Sequence, residues 1–339
     1  MKRSAIGIAD VADWHNLTAA FWRASRGKAA RADIAVFRAD LERQLANLRR
    51  DLLDAAVRLG EMRAFRIHDP KPRLIHAPSF RERVLHHALM AHVGPVLDRA
   101  LVFDTYACRV GKGTLAAVRR SQQHTRRFPW YAKIDIRAYF ASIDHRVLHA
   151  LLRRRFKDPA LLDLMARIIG AHHDGPAKGL PIGALTSQHF ANYYLSDLDR
   201  LLLERCPVEG MVRYMDDVIW WASSRDAVRE TACIARAFLA ETLLLEVKAP
   251  VSIGRSAGGV SFCGFRILPS ALLLSRRRKR RYAACRKKWE HAFAAGRIDA
   301  PMLQAGYASA LAITAHAAAA SWRREQLRRT PVATCCESV

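Results

Sequence analysis

The chain has 339 residues, which argues for two or three structural units. Half of them are apolar (51%), enough for a large core and too many for wholesale disorder. Lys and Arg number 56 against 31 Asp and Glu, and the resulting +25 argues for a polyanionic partner, either nucleic acid or an anionic membrane surface.

In chain order, residues 1–60 read as helical, with Ile34, Phe37, Leu41, Leu45, Leu48 and Leu52 forming one stripe at spacings of three and four. From 61 to 80 the chain turns short and extended, since Pro70, Pro72 and Pro78 oppose helix. Helix resumes over 81–97; Gly111 and Gly113 mark a turn before another helix near 114–124. Residues 130–136 read as a buried strand, 144–156 and 160–169 as helices, and 180–186 as a loop. One helix is expected over 187–205, with Phe190, Tyr194, Leu198 and Leu201 on one side. The apolar runs 211–214 and 218–222 flank an acidic turn, a hairpin signal. Residues 225–243 read as helix and 260–268 as a short strand pair. The charge-free, Ala-rich stretch 300–322 holds Gln304, Ser309, Thr314, His316 and Ser321. It is too polar to span a membrane and reads as one helix packed through a thin Ala face. Mixed strands with helices laid against one face predict an α+β domain.

Cys108, Cys206, Cys233, Cys263, Cys285, Cys335 and Cys336 form no C-x-x-C pair, which suits a reducing cytosol. Asp10, Asp13 and His15 interrupt any signal-peptide core, so a cytoplasmic chain without a membrane partner is expected. No acidic residue occurs between Val247 and Trp289, and residues 276–288 hold nine Lys or Arg. An unbalanced run of this kind reads as a phosphate-binding face.

Against this basic background three acids stand out. Asp135 closes a strand, and Asp216 and Asp217 sit at a hairpin tip about 80 residues later. Adjacent carboxylates at a tight turn are unfavourable unless a cation sits there. Two Mg²⁺ ions held by Asp135, Asp216 and Asp217, with the Ile136 carbonyl, would activate a 3′ hydroxyl and stabilise a leaving pyrophosphate. Side chains alternate along a strand, so Asp216 and Asp217 cannot both point the same way unless the turn twists; Asp216 is taken as the ligand and Asp217 as its support.

Tyr214-Met215-Asp216-Asp217 resembles the active-site hairpin of reverse transcriptases, and Asp135 with Phe140 resembles their first metal-ligand motif. Residues 178–188, Lys248, the 260–265 hairpin with Cys263 and Gly264, and 69–73 resemble further motifs of that family, in order. The Ile182-Gly183-x-x-x-Ser187-Gln188 form, with 83–89, 106–109 and 111–114, is similar to the reverse transcriptases of diversity-generating retroelements. Retron, group II intron-like and phage-defence enzymes are the alternatives, and a non-catalytic RNA-binding scaffold is the rival of another class.

The resemblance implies a right-hand polymerase fold: an N-terminal helical extension (1–60), fingers (61–130), a palm with an antiparallel sheet (131–268), a short basic helical thumb (269–330) and a tail (331–339). It implies RNA-directed DNA synthesis on an RNA template with a DNA or RNA primer and deoxynucleoside triphosphates. Lys71 and Arg73 would bind the triphosphate, with Arg63 and Arg66 as weaker candidates. Phe140 would exclude a 2′ hydroxyl, Tyr139 would be core, Gln188 would contact the nucleotide and Lys248 would protonate pyrophosphate. Template and primer would meet Ile182, Gly183, Ser187, Tyr214, Cys263, Gly264, Arg276, Arg277, Arg278, Lys279, Arg280 and Arg281. Ile182, standing where many relatives carry Gln, would lower fidelity at template adenines. The resemblance further implies a template-repeat RNA, a small basic helical accessory protein, and a bacterial, archaeal or phage origin.

Overall fold

The computed structural model describes residues 3–68 and 72–330, so Lys71 and the 331–339 tail lie outside it. Four helices open the chain: α1 (Ile8–Val11), α2 (Trp14–Ser25), α3 (Ala32–Ala39) and α4 (Leu41–Leu53). The stripe read as one helix is two. Asp40 leaves helical geometry between α3 and α4, while Ile34, Phe37, Leu45, Leu48 and Leu52 are all buried on either side of it. The proline-rich stretch forms an antiparallel ribbon of β1 (Arg63–His68) and β2 (Pro72–Ala77), registered from Arg63 opposite Ala77 to His68 opposite Pro72.

Ser79 starts α5 (Phe80–Ala100) with a reciprocal cap. Its hydroxyl accepts from the Glu82 amide, and the Glu82 carboxylate accepts from the Ser79 and Gly60 amides. There follow α6 (Thr114–Arg127), β3 (Trp130–Asp135), α7 (Tyr139–Ser142), α8 (His145–Arg153), α9 (Pro159–Gly170), α10 (Leu185–Tyr194) and α11 (Ser196–Arg205). The helix expected over 187–205 starts two residues earlier and breaks at Leu195, which lets α11 turn its Asp199 beneath the sheet.

The central sheet is antiparallel, in the order β4 (Gly210–Tyr214), β5 (Asp217–Ala222), β3, β6 (Ser252–Arg255), with α12 (Arg225–Glu241) between β5 and β6. Alternation divides its side chains between two faces. Ala132, Ile134, Met211, Val218 and Trp220 belong to the large core shared with the helices. Tyr131, Val212, Ile219 and Trp221 belong to a second core, closed by Ala117 and Val118 of α6 and by a small sheet of β7 (Val260–Phe262), β8 (Phe265–Ile267) and β9 (Leu272–Leu274). The expected helices on one face are thus present, with α6 packed on the other face as well, and Trp220 and Trp221 are both core. β6 and β9 were not expected: one carries a glycine and no apolar alternation, and the other is three residues long.

The C-terminal helices are α13 (Arg276–Ala294), α14 (Ala300–Thr314) and α15 (Ala320–Arg329). They begin at 276, not 269, because Leu272–Leu274 belongs to the small sheet. The single helix expected over 300–322 is broken at its corner, where His316 takes a φ of +65° and the Ala318 amide donates to the Leu272 carbonyl. The turn brings Trp322 against Tyr282 and Arg323 onto the Thr314 hydroxyl. Among the described residues no helix is long and apolar enough to cross a membrane.

Gly306 of α14 lies flat on the Trp289 ring, which a Cβ would overlap. Helix propensity favours Ala there by about 0.5–1 kcal/mol, but overpacking costs about 1–3 kcal/mol. Gly306→Ala is therefore expected to loosen α14 from α13 and lower the thermal melting midpoint, read by circular dichroism.

Candidate active site

Tyr214 pairs with Asp217, leaving Met215 and Asp216 as a two-residue turn. Met215 has a φ of +57°, a left-handed conformation that favours glycine at the first position of such a hairpin. The turn answers the alternation problem. Asp217 stands on β5 directly opposite Asp135 of β3, on one face, and Asp216 reaches the same locality from the tip.

Each of two acids meets a lysine. Lys248 lies 2.6 Å from the Asp135 carboxylate and its amide donates to the Asp135 carbonyl at 2.9 Å. Lys133 lies 2.8 Å from Asp217. Asp216 has no ion-pair partner among the described residues. Burial pushes its carboxyl above the ordinary value, and the charges of Asp135 and Asp217 push it further against the pull of Lys248. Burial also raises Asp217, with Lys133 opposing, and its Oδ1 is buried without an aligned hydrogen bond.

Among the described residues no group of three or more His, Cys, Asp or Glu closes into a ready-made metal cage. The donor chemistry nonetheless fits a hard divalent cation: crowded carboxylates, one of which, Asp216, has no ion-pair partner among the described residues, and the Ile136 carbonyl next along the same strand end.

The turn is held by residues that the motif reading passed over. Arg213 is fully buried on the helix-side face, and its five N–H groups all find acceptors. Nε and Nη2 donate to the two Asp199 oxygens at 2.7 and 2.6 Å. Nη1 donates to Asn192 Oδ1 and to the Met215 carbonyl at 2.9 and 3.1 Å, and Nη2 to the Asn192 carbonyl at 3.0 Å. Asp199 also accepts from the Thr105 hydroxyl, and the Asn192 amide donates to Ala107. One guanidinium so joins the turn, α10, α11 and the 105–107 loop. The available signal was an arginine inside an otherwise apolar strand.

Other expected residues are distributed as follows. Phe140 is half-buried beside the fully buried Tyr139, whose hydroxyl donates to Ala191 at 2.5 Å. Ser187 is buried, Gln188 is exposed beside Cys108, and the Tyr214 hydroxyl accepts from Thr114. Arg63, Arg66 and Arg73 are exposed on the β1–β2 ribbon. Gly183 allows close approach to β2, since a Cβ would meet Ile75 and His76, and the His76 amide donates to the Ile182 carbonyl. Cys263 and Gly264, with φ of 47° and 83°, make the tight β7–β8 turn.

Not all of the basic run faces outward. Arg276, Arg277, Arg280 and Arg281 are exposed, but Arg278 lies over the Phe265 ring and Lys279 over Trp322. Arg286 is buried against Glu290 at 3.0 Å.

A family model described as reverse transcriptase (RNA-dependent DNA polymerase) matches residues 67–249, just over half of the chain. Protein YkfC of Escherichia coli is 26% identical over 184 residues, covering 50% of this chain and 48% of that protein. The group II intron-encoded protein LtrA of Lactococcus lactis is 22% identical over 140 residues, covering 40% of this chain and 23% of LtrA. The chain thus spans less than half the length of these relatives. Among solved structures, apo telomerase from Candida tropicalis, truncated from its C-terminal domain, matches with a TM-score of 0.47 at 13% identity, covering 66% of this chain and 58% of that one.

Because the fold raises the Asp216 pKa, the folded state holds that proton more tightly, and this contribution to stability is lost as pH rises through the folded value. Asp216→Asn is expected to raise the melting midpoint of the metal-free protein at pH 7. Arg213→Met strands the Asp199 carboxylate and is expected to cost about 3–5 kcal/mol by denaturant titration.

Proposed function

The chain belongs to the reverse transcriptase (RNA-dependent DNA polymerase) family, with the right-hand polymerase fold, and on that premise we propose that it copies RNA into DNA at the acid cluster. The observation that carries this reading is the gathering of Asp135, Asp216 and Asp217 at one end of the sheet, with fewer lysines than acids in ion-pair contact.

Asp135, Asp216 and Asp217, with the Ile136 carbonyl, are the groups that would hold divalent cations. Bound Mg²⁺ would supply activation of the primer 3′ hydroxyl and stabilisation of the leaving pyrophosphate. Lys248 keeps Asp135 neutralised and stands at the acid that faces the departing phosphates, where its ammonium can give up a proton. Phe140 limits the room for a ribose 2′ hydroxyl, Gln188 faces the nucleotide from the start of α10, and Arg73, with Lys71, takes the triphosphate. Ile182, Gly183 and Tyr214 line the template side, with Ser187 buried in the first turn of α10 beside them. Cys263 and Gly264 carry the primer on the β7–β8 turn, and Arg276, Arg277, Arg280 and Arg281 follow the duplex backbone without reading sequence. Arg278 and Lys279 support that face from their aromatic contacts.

The finer reading is an error-prone enzyme of a diversity-generating retroelement, working in the cytoplasm on a template-repeat RNA with a small basic helical accessory protein. It rests on the Ile182-Gly183-x-x-x-Ser187-Gln188 form. The similarity to LtrA favours a group II intron-like enzyme as the second reading.

Primer extension on an RNA template with Mg²⁺ and four deoxynucleotides, with and without an accessory protein encoded beside the gene, tests both. Asp216→Ala is expected to lose activity by about a thousandfold or more. Sequenced products are expected to carry errors at template adenines, reduced in Ile182→Gln. Accurate extension by the wild type removes the retroelement reading and leaves the intron-like one. Equal error rates in Ile182→Gln remove that residue's role, and no extension under either condition favours a scaffold.

A further inference from the structure

Lys133 lies in none of the motifs, yet it touches two parts of the site at once. Its Nζ is 2.8 Å from the Asp217 carboxylate and donates to the Ser261 carbonyl of β7 at 3.1 Å. Its backbone is fixed, because β3 is paired at this residue with Ile219 of β5 and with Ser252 of β6. The side chain shares the acid face with Asp135 and Asp217. Beside it lies a cavity of about 320 Å³, walled by Lys133, Asp135, Lys248 and Ser252 on one side and by Ser261 and Arg266 on the other. The β7–β8 hairpin therefore stands off from β3 at this level, and the lysine crosses the gap. A second, longer contact, Tyr131 hydroxyl to Gly259 carbonyl at 3.5 Å, lies nearer the base of the hairpin.

We propose that Lys133 is a positioning residue that fixes the β7–β8 hairpin relative to Asp217, so that a primer end carried on the hairpin meets the acids in register. This rests on the polymerase reading above. Two magnitudes separate it from an ordinary ion pair. A partly exposed pair adds little to global stability. A displacement of about 1 Å at a reacting centre costs on the order of a hundredfold in rate. A positioning lysine therefore changes turnover far more than it changes melting.

The test uses the full chain as wild type, Lys133→Met, Lys133→Arg, Asp217→Asn and the double variant Lys133→Met with Asp217→Asn. Hydrogen exchange is measured over residues 260–267 without nucleic acid or metal, and primer-extension kinetics are measured beside it. Faster exchange in 260–267 is expected for Lys133→Met, with the melting midpoint almost unmoved. Its kcat is expected to fall about 10–100-fold with KM for deoxynucleotide within about threefold, and Lys133→Arg is expected to restore most of the loss. The double variant is expected to be no slower than Asp217→Asn alone, since both changes break one link. Unchanged exchange in Lys133→Met overturns the proposal, and so do single-variant losses that multiply in the double variant. A wild type that extends no primer counts against the polymerase reading alone, because the exchange result still decides whether Lys133 ties the hairpin.

Discussion

The buried pair of Arg213 and Asp199 is the contact on which the geometry of the site depends. Both side chains are wholly withdrawn from water. A charge in that position is tolerable only when its partner and every remaining hydrogen-bond site are in place. The arginine meets that condition with acceptors from three elements, one of them the Met215 carbonyl in the turn that carries Asp216. The left-handed Met215 is thus held from below by a group that cannot shift without stranding a carboxylate. The hairpin that carries Asp216, the two helices beneath it and the 105–107 loop are joined through this one guanidinium and its partners.

The two faces of the central sheet do opposite electrostatic work. Below, one cation meets one anion in full, and the result is rigidity. Above, three acids share two lysines, and the deficit is concentrated on Asp216. A site of this kind gains from any further cation that enters, which would share the acids that the two lysines now hold. The chain as a whole carries a net charge of +25, a field that would favour a polyanion over the repulsion of this acid cluster.

The sequence made the regular elements and the acid cluster legible because both depend on local pattern. Leu45, Leu48 and Leu52 mark a buried helical face, and the apolar runs around Asp216 mark a hairpin whatever surrounds them. The breaks at Asp40, Leu195 and Ala315 were not legible. No glycine or proline stops the helix there; tertiary partners do, Asp199 in one case and the Leu272 carbonyl in another. β6 and β9 exist through their neighbours' hydrogen bonds and carry no period of their own. Arg213 and Lys133 escaped for a related reason. Each is a single polar residue in a strand, and its meaning lies in which face of the sheet it occupies. That face is fixed by the register, which no motif states.

The first turns of α13 place Arg276, Arg277, Arg278 and Lys279 at the positive pole of the helix, with Arg280 and Arg281 one turn further on. Charges of that sign oppose the backbone dipole, and pairs four residues apart repel one another. No acid is interleaved with them in the stretch from Val247 to Trp289. Aromatic rings under Arg278 and Lys279 and the Ser275 cap hold the segment in place against this strain. A polyanion laid along the helix removes the repulsion and satisfies the dipole in one step. With a polyanion bound, grip and stiffness would rise together, and high salt, by screening both terms, would uncouple holding from winding.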